Sequence, residues 1–125
     1  MLQAFATLIR TQLRANDLVA RIGGEEFAAV LPATSLDEAL EIAERIRNAT
    51  ERLRVPLSGR AVSVTVSIGV ASSLGMETLD AMLSSADRAL YRGKRDGRNL
   101  VRLANPTPRT PLPPALVPNP ERLSA

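Results

Sequence analysis

The chain has no cysteine, no histidine and no tryptophan. Without cysteine there is no disulfide framework and no thiolate metal site. Without histidine the commonest general base and the commonest zinc ligand are both missing. Any chemistry must therefore come from carboxylates, Lys, Arg, Ser/Thr or Tyr, acting with a hard cation. Aromatics are nearly absent as well: Phe5, Phe27 and Tyr91 are the full set. A core must be aliphatic, and 45% apolar residues are enough to fill one. No run of about 18 apolar residues exists, which excludes a transmembrane helix. The first thirteen residues are amphipathic and too polar for a signal sequence, so the cytoplasm is the default compartment. Basic residues are interspersed with acidic ones, and the net charge is only +3. A basic helix or a recognised DNA-reading motif is not found, so a nucleic acid polymer is not the expected partner.

At 125 residues there is room for one domain and a tail. Seven of the nine prolines fall between Pro106 and Pro120. Residues 104–125 therefore read as a disordered, partly polyproline tail, and residues 1–103 as the folded part. Leu2, Phe5, Ile9 and Leu13 sit at helical spacing and open the fold. Two short apolar runs, 17–22 and 26–31, flank Gly23-Gly24 and predict a hairpin. Pro32 ends the second run. Ser35 and Glu38 then form a capping box for a helix with Leu36, Leu40, Ala43, Ile46 and Leu53 on its buried stripe. Pro56, Ser58 and Gly59 mark a turn. Val62, Val64, Val66, Ile68 and Val70 alternate with small polar residues and read as the clearest strand. A last helix carries Leu79, Met82, Leu83, Ala86 and Leu90 on one face and ends near Gly97. Residues 100–103 follow as a short strand. This order predicts an α+β domain with a largely antiparallel sheet flanked by helices.

Three short motifs could carry chemistry. In Gly23-Gly24-Glu25-Glu26-Phe27, two glycines let backbone approach a bulky anion, and a carboxylate beside them could hold Mg²⁺. The same residues taken alone make a hairpin turn with solvated charges. Arg14 and Asp17 offer a fork donor and an acceptor suited to phosphate and a guanine edge; taken alone they are a surface pair. Lys94 and Arg98 could clamp phosphate, or simply complement a helix C-terminus.

Their order is more specific than any one of them. The run from Arg14 to Phe27 resembles the signature hairpin of the GGDEF family of diguanylate cyclases, in its GGEEF form, with an RxxD element five residues upstream. Thr65 to Ala71 resembles the family's next landmark. Ala86 to Tyr91, then Lys94, Gly97, Arg98 and Asn99, resembles its last helix and final strand. The resemblance implies a nucleotidyl-cyclase-like, palm-type domain that joins two GTP molecules into cyclic di-GMP with release of two pyrophosphates. It implies two Mg²⁺ ions per GTP, and a homodimer or GGDEF partner domain for catalysis. Carried over, Glu25 is metal ligand and general base, Glu26 a further metal candidate, and Gly23 and Gly24 approach the nucleotide. Lys94 and Arg98 hold the terminal phosphates. Arg14, Asp17 and Arg45 form the product-inhibition site, although Arg45 alone is a solvated helix charge.

The family's first central strand and following helix, with their metal-binding Asp, Phe-Lys pair and guanine-binding residues, do not occur in the sequence. The expectation is an incomplete domain, from a misplaced start or a cut longer protein, with an open core, marginal stability and no turnover alone. Two other readings follow: a cyclic di-GMP-binding module through the RxxD site, or a degenerate domain that pairs with a complete GGDEF partner.

Overall fold

A computed structural model describes residues 2–74, 78–104 and 121–124. The chain runs α1 (Leu2–Gln12), β1 (Leu18–Gly23), β2 (Glu26–Leu31), α2 (Leu36–Arg52), β3 (Val55–Leu57), β4 (Arg60–Val62), β5 (Ile68–Ser72), α3 (Leu79–Arg95), β6 (Val101–Leu103) and β7 (Glu121–Ser124). Five strands form the main sheet in the order β1-β2-β7-β5-β6, and β3-β4 is a separate hairpin. The β1-β2, β2-β7 and β7-β5 pairs are antiparallel, and β5-β6 is parallel.

Alternation along the strands sorts side chains to two faces. On one face Phe27, Ala29 and Leu31 of β2 join Ile68 and Val70 of β5. They pack against Phe5 and Ile9 of α1 and Ala39, Ile42, Ala43 and Ile46 of α2. Phe5 and Phe27 meet edge to face, with ring centroids 5.4 Å apart. On the other face lies α3, held close by Gly69. A Cβ there would stand 2.1 Å from the Ala86 carbonyl oxygen and 2.6 Å from the Leu90 nitrogen. Small buried residues on α3, namely Ser85, Ala86, Ala89 and Gly93, permit that approach.

Ser35 caps α2 as expected, its Oγ accepting from the Glu38 N–H at 3.1 Å. The buried stripe of α2 is rotated slightly from the expected one: Ala39 and Ile42 are buried, while Leu36 and Leu40 are only partly covered. Leu79, expected on the buried face of α3, is exposed at the first position of that helix. The strand expected from Val62 to Val70 is divided. Residues 63–66 keep the alternation in burial, Ser67 breaks it by being buried, and residues 63–67 have no ladder partner among the described residues; β5 begins only at Ile68.

Two expectations need correction at the C-terminus. The proline-rich stretch 105–120 lies outside the described residues, but Glu121–Ser124, expected to be part of a disordered tail, is a paired strand. The sheet is therefore not left with an open gap: β7 pairs with β2 on one side and with β5 on the other.

Candidate active site

The β1-β2 hairpin turns on Gly24 and Glu25, with Gly23 opposite Glu26. Gly24 has φ +35, a region that disfavours residues with a Cβ. Arg21 fixes the turn by donating from Nε to the Gly24 carbonyl at 2.7 Å. A Cβ on Gly23 or Gly24 would meet nothing within 4 Å, so both faces of the turn are open to an approaching ligand. Glu25 and Glu26 are exposed. Glu25 borders a cavity of about 200 Å³ with Leu2, Phe5, Thr50, Val64, Thr65 and Val66.

The second candidate element is the loop after α3. Lys94 sits exposed in the last turn of that helix. The helix closes with the Asp96 N–H on the Arg92 carbonyl at 2.8 Å and the Arg98 N–H on the Gly93 carbonyl at 2.9 Å. Gly97, Arg98 and Asn99 all have positive φ, at 127, 62 and 55. For two non-glycine residues this conformation needs outside support. Asn99 supplies it. Its amide N–H donates to Ser67 Oγ at 3.0 Å, its Oδ1 accepts from Arg47 at 2.9 Å, and its Nδ2 donates to Glu51. Arg47 also grips Glu44 at 2.5 Å. That bond holds the Glu44 carboxyl below its usual value and raises the Arg47 guanidinium. Arg47, Glu51 and Ser67 had not been singled out in the sequence, where Arg47 shows only as an i,i+4 partner of Glu51.

Both elements border the C-terminal end of α2. Thr50 borders the Glu25 cavity, and its neighbour Glu51 anchors the loop that carries Arg98. Lys94 and Arg98 are exposed there, each free to reach an anion.

Arg14 and Asp17 lie apart from that end, and Arg45 falls between the two along α2. Arg14 makes a two-pronged contact with Asp17, Nε to Oδ2 and Nη2 to Oδ1 both at 3.2 Å, and its backbone N–H reaches Oδ2 at 2.8 Å. It also donates to the buried Thr34 hydroxyl and approaches Glu38 at 3.7 Å. The bond to Asp17 raises the Arg14 guanidinium above its usual value, with desolvation acting in the opposite direction. The Asp17 side chain is only 1% exposed, so this is an ordered clamp rather than a loose surface pair. Arg45 is exposed on α2, seven residues after Glu38 and so on the same helix face, about 10 Å along the axis. Glu38 and Glu51 stand about 20 Å apart on that helix. The two constellations are thus distinct.

Mg²⁺ favours a near-octahedral set of oxygen ligands. Among the described residues no group of three acidic side chains converges. Glu25 and Glu26 are two exposed neighbours, so the residues described do not by themselves build the expected metal site.

The sequence profile described as "Diguanylate cyclase, GGDEF domain" matches residues 1–100. The chain is 48% identical over 101 residues to diguanylate cyclase DgcM of Escherichia coli, covering 81% of this chain and 24% of that protein. It superposes with a TM-score of 0.75 and 42% identity on the isolated GGDEF domain of YfiN from Pseudomonas aeruginosa, covering 83% of this chain and 62% of that one. The GGDEF domain of DgcB from Caulobacter crescentus, solved in complex with c-di-GMP, matches with a TM-score of 0.77 and 30% identity over 82% of this chain and 61% of that one. The chain belongs to the GGDEF domain family of diguanylate cyclases. It spans about a quarter of the length of the curated relatives it matches. Among the described residues no helix is long and apolar enough to cross a membrane.

Proposed function

We propose that this chain carries one part of a GTP-condensing site and, alone, binds guanine nucleotides without turning them over. The reaction is the family's: the 3′-hydroxyl of one GTP attacks the α-phosphate of another, and pyrophosphate leaves. Glu25 takes the proton from the attacking hydroxyl. The open Gly23-Gly24 turn lets the nucleotide lie against backbone. Lys94 and Arg98 bind the terminal phosphates as paired cations. Glu26, with Glu25, would supply carboxylate oxygens toward Mg²⁺. The carrying observation is that the Glu25 turn and the Arg98 loop both border the C-terminal end of α2, through Thr50 and Glu51. The incomplete carboxylate set argues against turnover by the chain alone, because two-metal phosphoryl chemistry needs both ions held at the reacting phosphate. A homodimer, or a complete GGDEF partner domain, would supply the second GTP. Titration of the purified chain with a non-hydrolysable GTP analogue tests the reading. Saturable binding lost in the Lys94→Ala/Arg98→Ala double variant is expected. Binding indifferent to that variant would overturn it.

A second reading is favoured by the ordered Arg14–Asp17 clamp: cyclic di-GMP binding as a product sensor. The dinucleotide would bridge Arg14 and Asp17 to Arg45. Calorimetry should show binding in the micromolar range that Arg14→Ala abolishes. Absence of heat at tens of micromolar would sink this reading.

A further inference from the structure

The Arg14 guanidinium offers five N–H donors in a rigid planar fork. Its Nε–H and one Nη2–H go to the two oxygens of Asp17, each at 3.2 Å. The other Nη2–H goes to the hydroxyl of Thr34. Thr34 is fully buried, and its hydroxyl donates in turn to the Pro32 carbonyl at 2.9 Å. The fork is thus pinned along one side by two groups that hardly meet solvent, since Asp17 is buried as well. What remains is Nη1. Among the described residues it has no hydrogen-bond acceptor. It faces Glu38 Oε2 at 3.7 Å, which is ion-pair range but too long for a hydrogen bond.

Glu38 is held in that place by the cap of α2. Its backbone N–H reaches Ser35 Oγ at 3.1 Å, and its Oε1 accepts from the Ser35 hydroxyl at 3.2 Å. One carboxylate oxygen is therefore tied to the cap while the other is turned toward Arg14. Both partners are about half exposed, so the pair is weak and open to a competitor. A phosphate brought to Nη1 comes up against this carboxylate, and like charges repel there as strongly as opposite ones attract. We propose that Glu38 is a resident counter-ion of the Arg14 site, which a phosphate-bearing ligand displaces from Nη1 when it binds. Glu38 thus holds the affinity of the site down, and binding frees its carboxylate from Arg14. The proposal rests on the cyclic di-GMP reading given above.

Calorimetric titration of the full chain with cyclic di-GMP tests this in wild type, Glu38→Gln, Asp37→Asn and Arg14→Ala. Glutamine keeps the capping box, because it too accepts from Ser35 and its backbone N–H is unchanged. Asp37 is the control: it stands exposed in the same first turn but, among the described residues, has no ion pair with Arg14. Unit charges about 4 Å apart in water interact by an amount worth roughly fivefold in affinity. Glu38→Gln should therefore bind about fivefold tighter than wild type at low salt, and the gain should shrink at high salt. Asp37→Asn should change the affinity by less than about twofold. Affinity in Glu38→Gln equal to or weaker than wild type would overturn the proposal, as would an equal gain in Asp37→Asn. If neither wild type nor Glu38→Gln binds in an Arg14-dependent way, the cyclic di-GMP reading itself fails, and the proposal with it.

Discussion

Substituting Gly69 by alanine probes the closest approach in the domain. The added Cβ would fall 2.1 Å from the Ala86 carbonyl oxygen and 2.6 Å from the Leu90 nitrogen. Both are helix backbone, so no rotamer change relieves them; α3 must lift off β5 by more than 1 Å, roughly the shortfall from van der Waals contact. Overpacking of a filled core costs about 1–3 kcal/mol. An immovable partner puts this case at ~3 kcal/mol. Gly93 supplies the internal control. It lies buried in the same helix, and a Cβ there would meet only ordinary contacts, the nearest being Arg102 Cγ at 3.5 Å. Gly93→Ala should therefore stabilise the helix by about 0.5–1 kcal/mol. Urea unfolding followed by circular dichroism reads both. With a slope of ~1 kcal/mol per molar for a small domain, Gly69→Ala lowers the midpoint by about 3 M or leaves the chain unfolded in water. Gly93→Ala raises it by up to about 1 M on the same scale. Equal midpoints for Gly69→Ala and wild type would refute the packing of α3 on β5 described above.

Three further outcomes are expected. Ser35→Ala removes the α2 cap and should cost about 1 kcal/mol in a thermal melt, with Ser35→Thr close to wild type. Asn99→Ala loses the side-chain bonds to Arg47 and Glu51 and leaves only the backbone bond to Ser67 to support a Cβ residue at positive φ. It should cost about 1–2 kcal/mol in urea, part of it recovered by Asn99→Gly. Glu44 has a depressed carboxyl pKa in the fold, caused first by its hydrogen bond to Arg47. Its contribution is therefore full above the ordinary glutamate value of about 4.3 and lost as pH falls through the lower folded value. Glu44 is well exposed, so the effect is no more than ~0.5 kcal/mol. Glu44→Gln should flatten stability against pH below about pH 5, with high salt removing the difference; an unchanged profile would contradict the Arg47 assignment.

Much of the fold was legible because local chemistry and tertiary structure agree. The Ser35–Glu38 box, the Gly23-Gly24 turn and the Gly97 helix stop act within a few residues, and each appears where it was expected. The strand from Val62 to Val70 was misjudged because alternation reports which side is covered, and pairing depends on a neighbour that periodicity does not reveal. β7 was illegible for a related reason. Glu121–Ser124 has no strand pattern of its own, and its backbone is ordered by two walls distant in sequence. Of the proposed site, Gly23, Gly24, Glu25, Lys94 and Arg98 are legible only through the family pattern. The bonds from Arg47 and Glu51 to Asn99 are not legible in the sequence, since they join α2 to a loop about 50 residues later and the two helix residues look like an ordinary i,i+4 pair.

The most direct test of the central claim is GTP conversion by the purified chain in Mg²⁺, with cyclic di-GMP detected by chromatography. The account predicts GTP-analogue binding through Lys94 and Arg98 and no dinucleotide above a protein-free control. Turnover comparable to a complete GGDEF domain, abolished by Glu25→Gln, would contradict it.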